Sequence, residues 1–199
     1  IPDRIEAGTF LAAGAISGDE VTVSRVNPVH LESVTSLLAN SGFEILSNGS
    51  QVTIRPGAKR TALKIDAVPF PGFPTDMQAQ MCALMATTEG ISVVSDHVFP
   101  HRFMHVAEMK RMGADIELQG GTAVIKGVAQ LSGAPVMASD LRASAALILA
   151  ALVAKGETWV QRLYHLDRGY ERFEERLRSL GADVERLPAS ALPKGFAED

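Results

Sequence analysis

The chain has little of what several large functional classes require: one cysteine, one tryptophan and two tyrosines in 199 residues, and fewer Lys and Arg (19) than Asp and Glu (23). A single cysteine excludes an internal disulfide and fits a reducing cytoplasm. The formal net charge of −4 argues against a nucleic-acid surface, which needs a basic patch to displace counterions from phosphate. Small anions remain possible ligands, because a few arginines can gather in one cleft of an acidic protein. The longest apolar run, Ala143 to Ala154, is broken by Ser144 and falls short of the ~18 residues of a membrane span. No signal-peptide pattern is present. The expectation is a cytoplasmic protein with neither membrane nor nucleic acid as partner. At 46% apolar residues it has enough to form a core.

What is present is a pattern repeated three times. The runs Thr9–Gly18, Gln80–Gly90 and Ala145–Gly156 read as helices ending in Gly, and each leads into a short β-rich run at Glu20–Val23, Ile91–Val94 or Thr158–Val160. A second helix follows in each copy, Leu31–Gly42, Phe103–Gly113 and Tyr170–Gly181, again closed by Gly. A long self-similar period fixes architecture before any other signal. The first helices carry almost no charge and belong inside the fold. The second are amphipathic: Tyr170, Phe173, Leu177 and Leu180 form one apolar face among Glu171, Arg172, Glu174, Glu175 and Arg176, so they should lie outside with that face buried. Each closing Gly suits a left-handed cap, and Phe43–Leu46, Ala114–Leu118 and Ala182–Glu185 beyond it read as strands.

Two hairpin-like stretches join the copies, Gln51–Ile54 with Ala62–Ile65 around Pro56-Gly57, and Thr122–Ile125 with Ala134–Met137 around Ser132-Gly133. The expected organisation is a single α+β domain, residues 1–199, of three repeats (approximately 1–60, 61–130 and 131–186) with a C-terminal tail at 187–199. The first copy has no strand before its helix, and the chain opens on Ile rather than Met. A portion of a longer protein is therefore expected, with the missing edge strand supplied from elsewhere in it.

An acid stands at the start of the first helix in every copy: Asp3, Asp76 and Asp140. Each carboxylate suits an N-cap, accepting orphan backbone N–H groups. Asp76, in Pro71-Gly-Phe-Pro-Thr-Asp76, equally suits a general base held in fixed geometry. Arg102, Arg142 and Arg168 lie near expected helix starts, where the dipole disfavours a cation unless an anion is also bound. They form a candidate anion clamp, with surface ion pairs such as Asp140 with Arg142 or Asp167 with Arg168 as the plainer alternative. Cys82 sits among apolar residues without an adjacent cation and reads as an inert thiol. His30, His97, His101, His105 and His165 lack the pairing of a zinc site, and Gly120-Gly121 is turn chemistry. Neither metal nor cofactor is implied.

Taken together, Ile1-Pro-Asp-Arg-Ile-Glu6, Phe73-Pro-Thr-Asp-Met-Gln-Ala-Gln80, His101-Arg-Phe-Met-His105, Ala138-Ser-Asp-Leu-Arg-Ala-Ser144 and Asp167-Arg-Gly-Tyr-Glu-Arg172 resemble the UDP-N-acetylglucosamine enolpyruvyl transferase family, from Ile1 to about Glu185. The resemblance implies a two-domain enzyme whose domains are threefold pseudosymmetric inside-out α/β barrels, helices inside and sheets outside, this chain being most of one domain. It implies transfer of the enolpyruvyl group of phosphoenolpyruvate to the 3-hydroxyl of UDP-N-acetylglucosamine, with release of phosphate, in the first committed step of peptidoglycan synthesis. Carried over by motif, Asp76 is the general base or orienting group. Arg102, Arg142 and Arg168 bind the anionic groups, Asp140 sits beside them, and the backbone of Val98 contacts the UDP-sugar.

The same resemblance places a reactive cysteine on a loop of the other domain and a Lys-Asn pair in an N-terminal segment. Neither is in this chain, and Cys82 is not at the matching position, so the isolated chain is expected to be inactive. Two rival readings stand beside this one: a related transferase acting on shikimate 3-phosphate, and a non-catalytic pseudosymmetric binding module whose arginines are surface ion pairs.

Overall fold

The computed structural model of the protein describes residues 1–188 and Ala191; of the expected tail, residues 189–190 and 192–199 lie outside the described residues. The uncharged segments form helices α1 (Arg4–Ser17), α3 (Gln78–Ala86) and α5 (Leu141–Ala151), which pack on one another at the centre. Every residue of α3 is buried, as is α1 over Ala7–Ile16. With no hydrophilic stripe to turn toward water, such helices are stable only when surrounded.

The amphipathic segments form the outer helices α2 (Glu32–Asn40), α4 (His105–Arg111) and α6 (Phe173–Ser179). All three end alike. Gly42, Gly113 and Gly181 have positive φ, and the residue after each donates back to Leu38, Met109 or Leu177. These are Schellman endings, in which a left-handed residue lets the chain satisfy the last helical carbonyls. The inner helices differ from expectation, since α3 stops at Ala86 and α5 at Ala151, well before Gly90 and Gly156. The hydroxyl of Thr88 takes the Leu84 carbonyl, and the Lys155 N–H turns away to Leu131, so each helix unwinds early. On the inward face of α6, Phe173 and Leu177 are buried as their spacing implies, as is Tyr170 just before the helix, whereas Leu180 is 50% exposed beyond the last helical turn.

Nine strands make three separate sheets among the described residues. The first joins β1 (Val21–Ser24), β2 (Glu44–Asn48) and β3 (Gln51–Arg55) in the order β1-β3-β2, all antiparallel. The second joins β4 (Lys64–Ala67), β5 (Ile91–Asp96), β6 (Asp115–Gln119) and β7 (Thr122–Lys126) in the order β4-β5-β7-β6, with β4 parallel to β5. The third is the parallel pair β8 (Pro135–Met137) and β9 (Trp159–Gln161).

This arrangement corrects three expectations. The sheets are not closed into an inside-out barrel: closure needs an unbroken hydrogen-bonded ladder, and here each sheet keeps its own two edge strands. The mixed α/β class with a helical centre stands. The hairpins are β2–β3 and β6–β7, turned by two-residue loops led by Gly49 and Gly120 at positive φ, rather than the pairings around Pro56-Gly57 and Ser132-Gly133. β4 instead pairs parallel with β5 across α3. Finally, Ala182–Glu185 is not a strand.

Close approach of α1 to the first sheet depends on Gly14. A Cβ there would sit 2.8 Å from Val21 Cγ2 and 3.1 Å from Ile54 Cγ2. Overpacking of this kind costs about 1–3 kcal/mol. Gly14→Val is therefore expected to lower the unfolding free energy by about that amount in denaturant titration.

Candidate active site

The three acids at inner-helix starts do different work. Asp3 caps α1, its Oδ1 accepting from Ile5 N–H (2.8 Å) and Glu6 N–H (3.1 Å). Asp140 caps α5, accepting from Arg142 N–H (2.8 Å) and Ala143 N–H (3.0 Å). Asp76 caps nothing. It lies in a 3-10 turn, Thr75–Met77, that precedes α3, and its carboxylate reaches across to two arginines: Arg102 Nη1 at 2.7 Å from Oδ1 and Arg142 Nη2 at 3.3 Å from Oδ2. An acid released from capping and placed between guanidinium groups is the local departure from the repeat.

Each arginine is held in turn. Arg142, the second residue of α5, donates through Nη1 to the Tyr170 hydroxyl (3.2 Å) and lies over its ring. Tyr170 Oη also meets Thr9 Oγ1 (2.9 Å) from α1 and Gln80 Nε2 (3.4 Å) from α3, while Gln80 Nε2 donates to the Asp76 carbonyl (3.0 Å). A polar network thus threads the junction of all three inner helices and ends at the ion pairs. A buried tyrosine hydroxyl demands partners, and that requirement was the signal a purely apolar reading of Tyr170 missed. Arg102 lies against the Phe99 ring, 5.8 Å from its centroid.

Charge follows from this geometry. Burial pushes the Asp76 carboxyl upward, but the Arg102 hydrogen bond and the Arg142 charge outweigh it, leaving Asp76 below the usual carboxylate range. It is ionised at neutral pH. Burial raises the Tyr170 phenol despite the opposing Arg142 charge, so it stays a neutral hydroxyl. Asp96, unforeseen from the sequence, is buried at 2% exposure at the end of β5 and accepts from Thr75 Oγ1 (2.5 Å), Val98 N–H (2.9 Å) and Phe99 N–H (2.8 Å). The Val98 amide is therefore engaged within the protein.

Arg168 is not at a helix start. It ends the 3-10 turn Leu163–Arg168, where the dipole favours a cation, and it is exposed and makes no hydrogen bond or ion pair with Asp76. Its chain neighbours nonetheless anchor it nearby: Gly169 packs on the Leu141 side chain and Tyr170 bonds Arg142. The surface pairs considered from sequence do not form. Asp140 is a cap, and Asp167 pairs with Arg186 instead of Arg168. Among the described residues no group of three or more His, Cys, Asp or Glu side chains is placed to hold a metal ion.

The family model described as EPSP synthase (3-phosphoshikimate 1-carboxyvinyltransferase) matches residues 1–177. The chain belongs to the EPSP synthase family. Within it, the chain is 61% identical over 190 residues to a UDP-N-acetylglucosamine 1-carboxyvinyltransferase of Akkermansia muciniphila, covering 94% of this chain and 45% of the relative. A protein of the same name from Myxococcus xanthus is 56% identical over 189 residues, covering 95% and 45%. Among solved structures, the enolpyruvyl transferase NikO from Streptomyces tendae superposes with a TM-score of 0.84 at 30% identity, over 92% of this chain and 44% of that one. EPSP synthase from Acinetobacter baumannii, at 21% identity and a TM-score of 0.70, shares the fold, over 91% of this chain and 43% of that one. The chain thus spans a little under half the length of the curated relatives it matches.

Cys82 and His105 are both buried in the interior. Cys82 is fully buried and burial pushes its thiol far up, so it should resist alkylation at pH 8 in the native protein and react only in denaturant, as read by intact mass. His105 is likewise buried, and burial lowers its pKa to about 4 against an ordinary value near 6.5. The unfolded chain then binds a proton that the native state refuses. Stability should fall as pH drops from about 6.5 to about 4, and His105→Phe should flatten that part of the unfolding profile.

Proposed function

We propose that this chain is a three-repeat domain of an enzyme that transfers the enolpyruvyl group of phosphoenolpyruvate to the 3-hydroxyl of UDP-N-acetylglucosamine. The single observation that carries the reading is the Asp76 carboxylate shared by Arg102 and Arg142 where its two counterparts are helix caps. The names of the curated relatives favour the UDP-sugar over shikimate 3-phosphate as acceptor.

In this reading the two arginines meet the phosphate and carboxylate of phosphoenolpyruvate, with Arg168 joining from the adjacent turn. The sugar oxygen bonds to C2 while C3 takes a proton; then the C2–O bond to phosphate breaks and C3 gives a proton back. Negative charge is redistributed throughout, and cations already held by Tyr170 and Phe99 need little reorganisation to stabilise it. Asp76, ionised and depressed in pKa while it is paired, is a poor base in that state. When substrate anions take over Arg102 and Arg142, the carboxylate loses the charges that depress it and becomes a better acceptor for the sugar hydroxyl proton. Asp140 acts by fixing the start of α5 and so the base of Arg142. With its N–H engaged by Asp96, Val98 has its carbonyl to offer the UDP-sugar.

The domain is further proposed to be completed by a segment of the parent protein. In the second and third sheets a parallel strand, β4 or β8, covers the edge of the strand that follows the inner helix. The corresponding edge of β1 borders a groove of about 510 Å³ lined by Pro2, Glu6, Phe10, Val23, Arg176 and Leu180. A strand added there would also cover the exposed Leu180.

Arg102→Ala or Arg142→Ala in the full-length enzyme is expected to reduce phosphate release by about 100-fold or more, as loss of one preorganised donor does elsewhere. Near-normal turnover in both would favour the binding-module reading. The isolated chain should release no phosphate from phosphoenolpyruvate and UDP-N-acetylglucosamine.

A further inference from the structure

Asp76 and Arg102 form their 2.7 Å pair from segments that no ladder holds together at that point. Asp76 sits in the turn after the Pro71–Pro74 stretch, and Arg102 in the irregular connection between β5 and α4. The strand pairing that joins these regions runs out at Asp96, whose N–H takes the Gly121 carbonyl and which stands opposite Ala67 of β4. Beyond it one backbone bond remains, from His97 N–H to the Ala67 carbonyl at 3.0 Å, with Ala67 bridged to Phe73; the side chain that ties Thr75 itself to the Val98–Phe99 turn is that of Asp96. Its Oδ2 accepts from the hydroxyl of Thr75, the residue before Asp76, at 2.5 Å. Its Oδ1 accepts from the amides of Val98 and Phe99, and the Phe99 carbonyl in turn accepts from Arg102 N–H at 3.0 Å.

From this geometry we propose that Asp96 is a positioning residue for the reaction, setting the separation of Asp76 and Arg102 by tying Thr75 to the Val98–Phe99 turn. The inference rests on the function proposed above. A carboxylate at 2% exposure is costly unless its oxygens are hydrogen-bonded, and here all three bonds fall on the two segments that carry reacting groups. An O–H···O⁻ contact of this length belongs to the strong, charge-assisted class. Loss of it frees the Thr75 turn to shift, and displacement of a reacting group by about 1 Å can cost on the order of 100-fold in rate.

The test uses the full-length enzyme and phosphate release from phosphoenolpyruvate and UDP-N-acetylglucosamine. Thr75→Val removes the hydroxyl at constant shape. It should lower kcat by roughly 10-fold, within the range expected for a partial displacement, with smaller changes in KM. Thr75→Ser should restore the rate. In an Asp76→Asn background, Thr75→Val should add almost nothing, because the two act as one unit. Unchanged kcat in folded Thr75→Val, or an equal loss in both backgrounds, would overturn the proposal. If Thr75→Val does not fold, Thr75→Ala serves in its place: it also lacks the hydroxyl that Asp96 Oδ2 accepts from, and the same kcat loss and non-additivity are required. Full activity in Asp76→Asn alone would instead overturn the site reading, and this inference with it.

Discussion

A helix almost without charge has little face to give to water, and this chain contains three of them. Mutual burial of α1, α3 and α5 is therefore the constraint on which the rest depends: the sheets and outer helices are arranged so as to cover that centre. Close packing brings a second obligation, since polar atoms carried into the junction must be satisfied there. Thr9, Gln80 and Tyr170 bond one another there and then hold Arg142, leaving Gln80 Oε1 and Arg142 Nε without a partner among the described residues. The scaffold and the candidate site are in this sense continuous, with the helical core ending in the hydrogen bonds that orient a guanidinium.

Function enters where the repeat is broken. A carboxylate before a helix is ordinarily spent on backbone N–H groups, and Asp3 and Asp140 are spent in that way. Asp76 escapes because it lies inside a 3-10 turn that precedes α3 and not at a helix cap, leaving its carboxylate free for side chains. Two cations then lower its basicity. The same cations are the groups an anionic substrate would seek, so binding of that substrate and the basicity of Asp76 are coupled through shared charge. On the other side the buried Asp96 carboxylate accepts from both the Thr75 hydroxyl and the Val98 and Phe99 amides, so it joins the segment before Asp76 to the one before Arg102.

Much of the fold was legible in the residues. Freedom from charge marked α1, α3 and α5 as central, and the spacing of Tyr170, Phe173 and Leu177 marked the buried face beneath α6. Gly42, Gly113 and Gly181 marked helix ends that the structure completes with the same pair of back-bonds. Strand partnership was much less legible. The run at Ala62–Ile65 looks like the return arm of a hairpin, yet β4 pairs in parallel with β5 across a helix, because alternation of side chains says that a strand exists and not which neighbour it finds. For the same reason barrel closure could not be read from repeats alone, and the three sheets keep their edges.

The candidate site divides in the same way. Asp76, Arg102 and Arg142 stood out by type and motif, but nothing local distinguished Asp76 from the capping Asp3 and Asp140. Asp96 looked like any acid ending a strand, and Tyr170 like core. By itself, the sequence determined what depends on neighbours along the chain: helical faces, glycine-closed ends, the composition of the core and the family motifs. Only the tertiary structure decided which carboxylate caps and which is shared between arginines. That outcome rests on contacts such as Asp76 with Arg142 and Thr9 with Tyr170, which join residues far apart in sequence and exist only once three helices have been buried together.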